Sequence, residues 1–212
     1  MKAVITADII NSTKILDERR NLLPTTLDNI IQELQIICFV KCEMYRGDSF
    51  QIVLDDYTKS LKVAILIRLG LIKSNLLNGG KLDARMAIGI GDVTYENERV
   101  VLSDGEAFRL SGRTFDKLSK QKILIATSKN LIDEQLNILL AFVDDLLKSM
   151  TVAQSECLYE AILYGKTQSD IAIKLQKKYR QSVAKHLKAA KEDLFKMFLE
   201  YTERILVNLK EI

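Results

Sequence analysis

The chain has 212 residues with a formal net charge of +3, 48% hydrophobic residues and 28% charged residues. That length and apolar content allow one large domain or two small ones with a true core, and exclude a disordered chain. No apolar run approaches the ~20 residues needed to span a membrane, and three cysteines make a disulfide framework a poor fit.

The start, Met1-Lys2-Ala3-Val4-Ile5, has no signal-peptide layout, so the expected location is the cytoplasm, with no membrane partner. Cys38 and Cys42 read as buried thiols sharing one face of a strand. His186 is the single histidine and sits in a basic segment. A His/Cys zinc site and a Ser-His-Asp or Cys-His engine are therefore both improbable.

In chain order, residues 2–8 read as a strand. A helix follows Pro24, with Leu27, Ile30, Ile31 and Leu34 at helical spacing. Residues 36–54 read as a hairpin around the turn pair Gly47-Asp48. Asp55-Asp56 then caps a long apolar helix containing Leu61, Ala64, Ile65, Ile67, Leu71 and Ile72, which Asn78-Gly79-Gly80 ends. Residues 82–90 form a further strand, closed by Gly89-Ile90-Gly91. That glycine pair does not open a helix and makes a poor dinucleotide fingerprint. A short strand over 99–102, a helix over 105–118, a strand over 122–126 and a helix over 137–149 complete this part.

The order β-α-β-β-α-β, with a further helix and strand, predicts an α+β, ferredoxin-like sheet. In that topology the first and third strands pair and bring Asp8 near Asp48. Two converging carboxylates suit Mg²⁺ or Mn²⁺ and a nucleotide phosphate. The plainer alternative is a turn aspartate and a helix-capping aspartate with no shared role.

From Thr151 the texture is all-helical. Thr151 and Gln154 fit a capping box, and Gly165 fits a helix C-terminus. A short second helix runs from Thr167 to Leu175. A third begins near Tyr179 or Arg180 and, lacking Gly or Pro, is expected to run far towards Ile212. This is the layout of a helix-turn-helix unit. The expected organisation is thus a sheet domain over 1–136, a linker helix over 137–150 and a helix-turn-helix domain over 151–212.

Charge is concentrated in this last part. Seven basic residues and no acidic one lie between Lys174 and Lys191, which points to a polyanion such as double-stranded DNA. Val183, Leu187, Ala190 and Leu194 are expected to face the core. Arg180, Gln181, Ser182, Lys185, His186 and Lys188 then lie on or near the outer face, with Lys177 and Lys178 at the turn. Arg180, Gln181 and Ser182 would meet base edges, and the lysines phosphate.

The segments Asp8-Ile9-Ile10-Asn11-Ser12 and Arg46-Gly47-Asp48 resemble the metal-binding segments of class III nucleotide cyclases. The hairpin Gly47-Asp48-Ser49-Phe50 is similar to the diguanylate cyclase signature. A closer resemblance, over nearly the whole chain, is to the SatD family. It is carried by Ile5 to Ser12, Gly47 to Gln51, Gly89-Ile90-Gly91 and Ser103 to Phe108, and the C-terminal helix-turn-helix fits that family too. The latter unit resembles those of sigma-factor region four, with one extra residue in the turn.

The cyclase resemblance implies metal ligands at Asp8 and Asp48 and phosphate or nucleotide contacts at Ser12, Arg109 and Arg113. It also shows departures. Met44 and Leu102 stand where base-reading residues are expected, and Arg109 where an asparagine is. Three functions remain open on the sequence. One is a DNA-binding transcriptional regulator with a non-catalytic, nucleotide- or metal-sensing domain. The second is an active nucleotidyl cyclase or related phosphotransfer enzyme. The third is a protein-interaction module. A homodimer is expected, with Leu194, Met197, Phe198, Tyr201 and Ile205 as its seam.

Overall fold

Alternation along the first strand divides the molecule into two faces. In β1 (Lys2–Ile10), Ala3, Ile5, Ala7 and Ile9 enter the main core, whereas Val4 joins a smaller cluster with Val53, Val100 and Ala107 on the other face. The computed structural model describes residues 1–77, 80–177 and 179–210. Two expectations, the cap at Asn78-Gly79 and the DNA contact at Lys178, lie outside those residues.

After β1 come a 3₁₀ turn (Ser12–Lys14), the short α1 (Asp17–Arg20) and α2 (Leu22–Leu34). Pro24 falls in the first turn of α2, where its missing N–H leaves no helical bond unmade. The hairpin β2 (Val40–Met44) and β3 (Ser49–Leu54) follows, then α3 (Ser60–Lys73) and β4 (Asp83–Gly91). Two small strands, β5 (Val93–Tyr95) and β6 (Asp104–Gly105), flank a 3₁₀ turn at Val100–Leu102, where a strand was expected. The helix α4 (Glu106–Phe115) and the strand β7 (Ile123–Ala126) complete the sheet, whose order is β2-β3-β1-β4-β7. The first four strands are antiparallel, and β7 joins β4 in parallel. This is the expected α+β sheet with one strand added. The hairpin is shorter than expected, because residues 36–39 turn rather than extend. Cys38 therefore lies outside β2 and does not share a strand face with Cys42. Burial pushes the Cys38 and Cys157 thiols up to about 11 and Cys42 to about 12, so all three are poor nucleophiles.

On each edge strand of the sheet, one residue has its outward backbone groups satisfied by a side-chain amide. On β2, Gln35 donates to the Val40 carbonyl and accepts its N–H. On β7, Asn137 does the same for Ile125 at 2.9 Å each way. Edge groups satisfied in this way cannot template a foreign strand.

Gly89 explains how closely α4 lies on the sheet. A methyl group there would sit 2.2 Å from the Ala107 carbonyl oxygen and 2.4 Å from the Ser111 nitrogen. The glycine pair of β4 thus serves helix–sheet contact, in keeping with its failure as a dinucleotide motif.

The helix α3 is buried from Ser60 to Ile72 except at Lys62, and Arg68 within it is 0% exposed. Arg68 donates from Nε and Nη2 to Asp83 at 2.8 and 2.9 Å. Its Nη1 lies 2.8 Å from Asp144 Oδ1, an ion-pair contact outside hydrogen-bond geometry. Lys122 adds a 2.7 Å bond to Asp83. The network joins α3 and β4 to α5 (Asn130–Ser149). That helix begins at Asn130, so the expected boundary at 136/137 falls inside it. It is no linker, since Leu136, Leu140, Val143 and Leu147 enter the main core.

The outer side of α3 is covered by α6 (Val152–Tyr164) and α9 (Glu192–Val207). Ser155 Oγ donates to the Leu69 carbonyl at 2.7 Å, and Tyr159 donates to Glu33 on α2 at 2.6 Å. Residues after 151 therefore share the core of the sheet rather than standing apart from it. Between them, α7 (Gln168–Lys174) and α8 (Arg180–Ala189) pack with α6 around Cys157, Ile171, Val183 and Leu187. The expected single long helix breaks after Ala190, with Lys191 at φ 59°. No helix among the described residues is long and apolar enough to cross a membrane.

Asp83→Asn should destabilise the fold by about 3–5 kcal/mol in urea titrations, because it leaves Arg68 charged and buried with half its partners. The pH dependence follows from the same contact. Burial acts to raise the Asp83 carboxyl, but Arg68 and Lys122 outweigh it and hold it below its ordinary value. Its contribution should be complete above about pH 4 and should drain as the pH falls through the depressed folded value. Gly89→Ala should cost about 1–3 kcal/mol in the same titrations by forcing α4 off the sheet.

Candidate functional site

The topology brings Asp8 and Asp48 to the same end of adjacent strands. Asp8 stands opposite Ser49 in the β1–β3 register, and the Ile9 N–H donates to the Asp48 carbonyl at 2.9 Å. Gly47, at φ 65°, makes the turn that delivers Asp48. The two carboxylates nevertheless have separate partners. Ser49 turns its hydroxyl to Asp8 Oδ1 at 3.1 Å. Arg85, across the β1–β4 pair, places Nε and Nη2 each 3.0 Å from Asp8 Oδ2. Asp48, one residue before Ser49, accepts from Ser12 Oγ at 2.8 Å.

A cleft of about 200 Å³ opens beside Asp48, walled by Ser12, Thr13, Arg20, Leu23, Arg46 and Gly47. The expected Ser12 is thus on site. The donor set in this arrangement does not fit a divalent cation. The Arg85 guanidinium, stacked 5.0 Å over the Phe115 ring, already neutralises the negative charge that Asp8 would offer to a metal. Among the described residues there is no cluster of three or more His, Cys, Asp or Glu that would complete a shell.

Neither α4 arginine is among the residues that wall this cleft. The helix runs from Gly91, near Glu106, towards Arg85, near Phe115. Arg109 lies in its first half and pairs with Asp104 at 3.1 Å, and Arg113 is exposed on its last turn. Met44 packs against the main core, and Leu102 stands exposed on the 3₁₀ turn. Neither can read a base by hydrogen bonding.

The second surface is α8. A reciprocal cap between Thr167 and Asp170 starts α7. The turn after it is a Schellman motif, with Gln176 at φ 51° and bonds from Gln176 N to Ile173 O (3.1 Å) and from Lys177 N to Ala172 O (2.9 Å). In α8, Val183 and Leu187 are buried, and Arg180, Gln181, Lys185 and Lys188 are exposed. Ser182 and His186 are half-buried. Leu194 is not part of this core, since the break at Lys191 rotates it outward. Two basic residues of the window are taken up internally: Lys174 pairs with Glu160 at 2.7 Å and Lys177 with Glu156 at 3.5 Å. Among the described residues, no carboxylate pairs with Lys185 or Lys188.

Sequence reasoning missed Arg85 and Arg20, and gave Arg46 no role beyond its place in the Arg46-Gly47-Asp48 segment. Arg85 was legible as the one cation of its strand. The cleft arginines carried no such signal.

No protein-family model matches the chain, and no curated protein matches it. Among solved structures, the fold is similar to that of the guanylyl cyclase Cya2, with 14% identity and a TM-score of 0.44, over 59% of this chain and 74% of that one. It is also similar to an adenylate cyclase from Trypanosoma brucei in its monomeric state, with 14% identity and a TM-score of 0.37, over 58% and 72%.

Removing the competing cation tests the role of Asp8. Arg85→Ala should raise Mn²⁺ affinity about tenfold or more in calorimetry, by freeing a carboxylate beside the cleft. An unchanged affinity would show that Asp8 is no metal ligand.

Proposed function

We propose that the protein is a DNA-binding regulator. It reads duplex DNA through α8 and carries a cyclase-like sheet that senses a ligand rather than turning one over. The observation that carries this reading is the outward face of α8. Arg180 and Gln181 are exposed at its N-terminus, and Lys185 and Lys188 follow on the same helix with no acidic partner among the described residues. A helix reached through a short helix and a tight turn, with its N-terminus open, suits major-groove entry. Arg180 and Gln181 can each make bidentate base contacts, and Lys185 and Lys188 suit phosphate. Lys174 and Lys177 hold the unit together instead of contacting DNA.

The non-catalytic half of the reading rests on the Asp8–Arg85 ion pair and on apolar Met44 and Leu102. Cyclisation requires an oriented nucleotide and stabilisation of developing charge. The cleft beside Asp48, with Arg20 and Arg46, is the candidate place for a phosphate-bearing ligand. Any Mg²⁺ or Mn²⁺ bound through Asp8 would have to displace Arg85.

Fluorescence anisotropy with duplex DNA at graded salt tests the first half. Wild-type affinity should fall steeply with salt. Lys185→Ala with Lys188→Ala should weaken binding to every duplex and flatten the salt slope by about two contacts. Arg180→Ala should erode sequence preference by about 1–3 kcal/mol at one base pair. Absence of binding at low salt by a folded protein would overturn the reading. Conversion of ATP or GTP to a cyclic product above ~1 s⁻¹ would overturn the non-catalytic half.

A further inference from the structure

The α5–α9 face exposes more apolar surface than a solitary chain has use for. Phe142 on α5 is 69% exposed, and on α9 Met197 is 60%, Leu194 47% and Tyr201 46% exposed. These four side chains line one groove of about 480 Å³. Leu194, Met197 and Tyr201 recur at i, i+3 and i+7, the spacing of a helix that packs on another helix. The seam expected from sequence is thereby corrected. Phe198 is buried within the chain and Ile205 packs on its own core, while α5 supplies Phe142.

Two observations say what covers this face. The first is area. Each of the four side chains presents roughly 100 Å², and Ile138, one turn before Phe142, extends the patch. Two such faces together would bury on the order of 1,000 Å² with their rims, the lower bound for a specific interface. The second is charge. The first turn of α9 carries Glu192 and Asp193, and its last turn carries Arg204, which lines the groove. Glu192 pairs with Lys196 at 2.6 Å, and among the described residues Asp193 has no ion-pair partner. An antiparallel pairing of two α9 helices sets Arg204 against the acidic turn of the other copy, whereas a parallel pairing would set acid against acid.

We propose that the occupant is a second copy of this chain, docked on the α5–α9 face about a two-fold axis with the α9 helices antiparallel. Phe142, Met197 and Tyr201 close over one another, and each Arg204 meets the partner's Asp193. This inference does not depend on DNA binding.

Sedimentation equilibrium of the full chain tests it. The wild type should dimerise with a dissociation constant near or below about 1 µM. Met197→Glu should weaken the dimer by about 100-fold, since it buries a charge in the seam. Arg204→Glu should weaken it by about tenfold, and adding Asp193→Arg to that variant should restore it. Circular dichroism reports the fold of each variant, and the exposed charge pair provides the test if Met197→Glu fails to fold. A wild type that remains a monomer at ~100 µM, a dimer indifferent to Met197→Glu, or a charge swap without rescue would each overturn the proposal.

Discussion

The buried Arg68 guanidinium is the contact on which the arrangement of the layers depends. It sits in the middle of α3 and ties that helix to Asp83 at the start of β4 and to Asp144 on α5. An arginine without solvent tolerates little displacement of its partners, because any carboxylate that moves away leaves charge stranded in a low-dielectric interior. Apolar packing alone would let α3 slide along the sheet. The bidentate bond to Asp83 sets one position. With α3 located, α6 and α9 have a defined surface to cover, and Ser155 and Tyr159 make the polar contacts that anchor α6.

This explains why the helical C-terminal part is continuous with the sheet. A helix buried along almost its whole length needs cover on its outer face, and α6 and α9 supply it. The unit formed by α6, α7 and α8 therefore shares α6 with the core of the sheet domain. A change at the Asp48 cleft has a continuous packed route to α8, through α2, where Glu33 accepts from Tyr159 on α6, and then through the small core around Val183. Such a route is a physical precondition for coupling a ligand to a DNA contact.

The two candidate surfaces differ in how their charge is managed. At the sheet end, Asp8 is neutralised by Arg85, and Asp48 is held by Ser12. Around α8, Lys174 on α7 and Lys177 in the turn have carboxylate partners, whereas Lys185 and Lys188 on α8 have none among the described residues. Unpaired cations on one rigid face attract a polyanion. A carboxylate already paired with arginine has little left to offer a cation.

Much of this was readable along the chain because its causes are local. Strand alternation, helical spacing and the turn residues at Gly47, Thr151, Gly165 and Thr167 depend on neighbours a few residues away. They led to the β-α-β-β-α-β order, to Asp8 beside the hairpin and to the core side of α8. The break at Lys191 was hidden, because no Gly or Pro marks it. A non-glycine residue takes φ 59° there when packing on both sides repays the strain. Arg85 on Asp8, Arg68 between two aspartates and Asn137 closing an edge strand all join residues far apart in sequence. Strand register and helix docking decide those pairings, and only the tertiary structure sets them. The sequence by itself determined the elements and the chemistry of each face. Which charges meet, and which stay free to bind something else, was decided by strand register and by the packing of helices on the sheet and on one another.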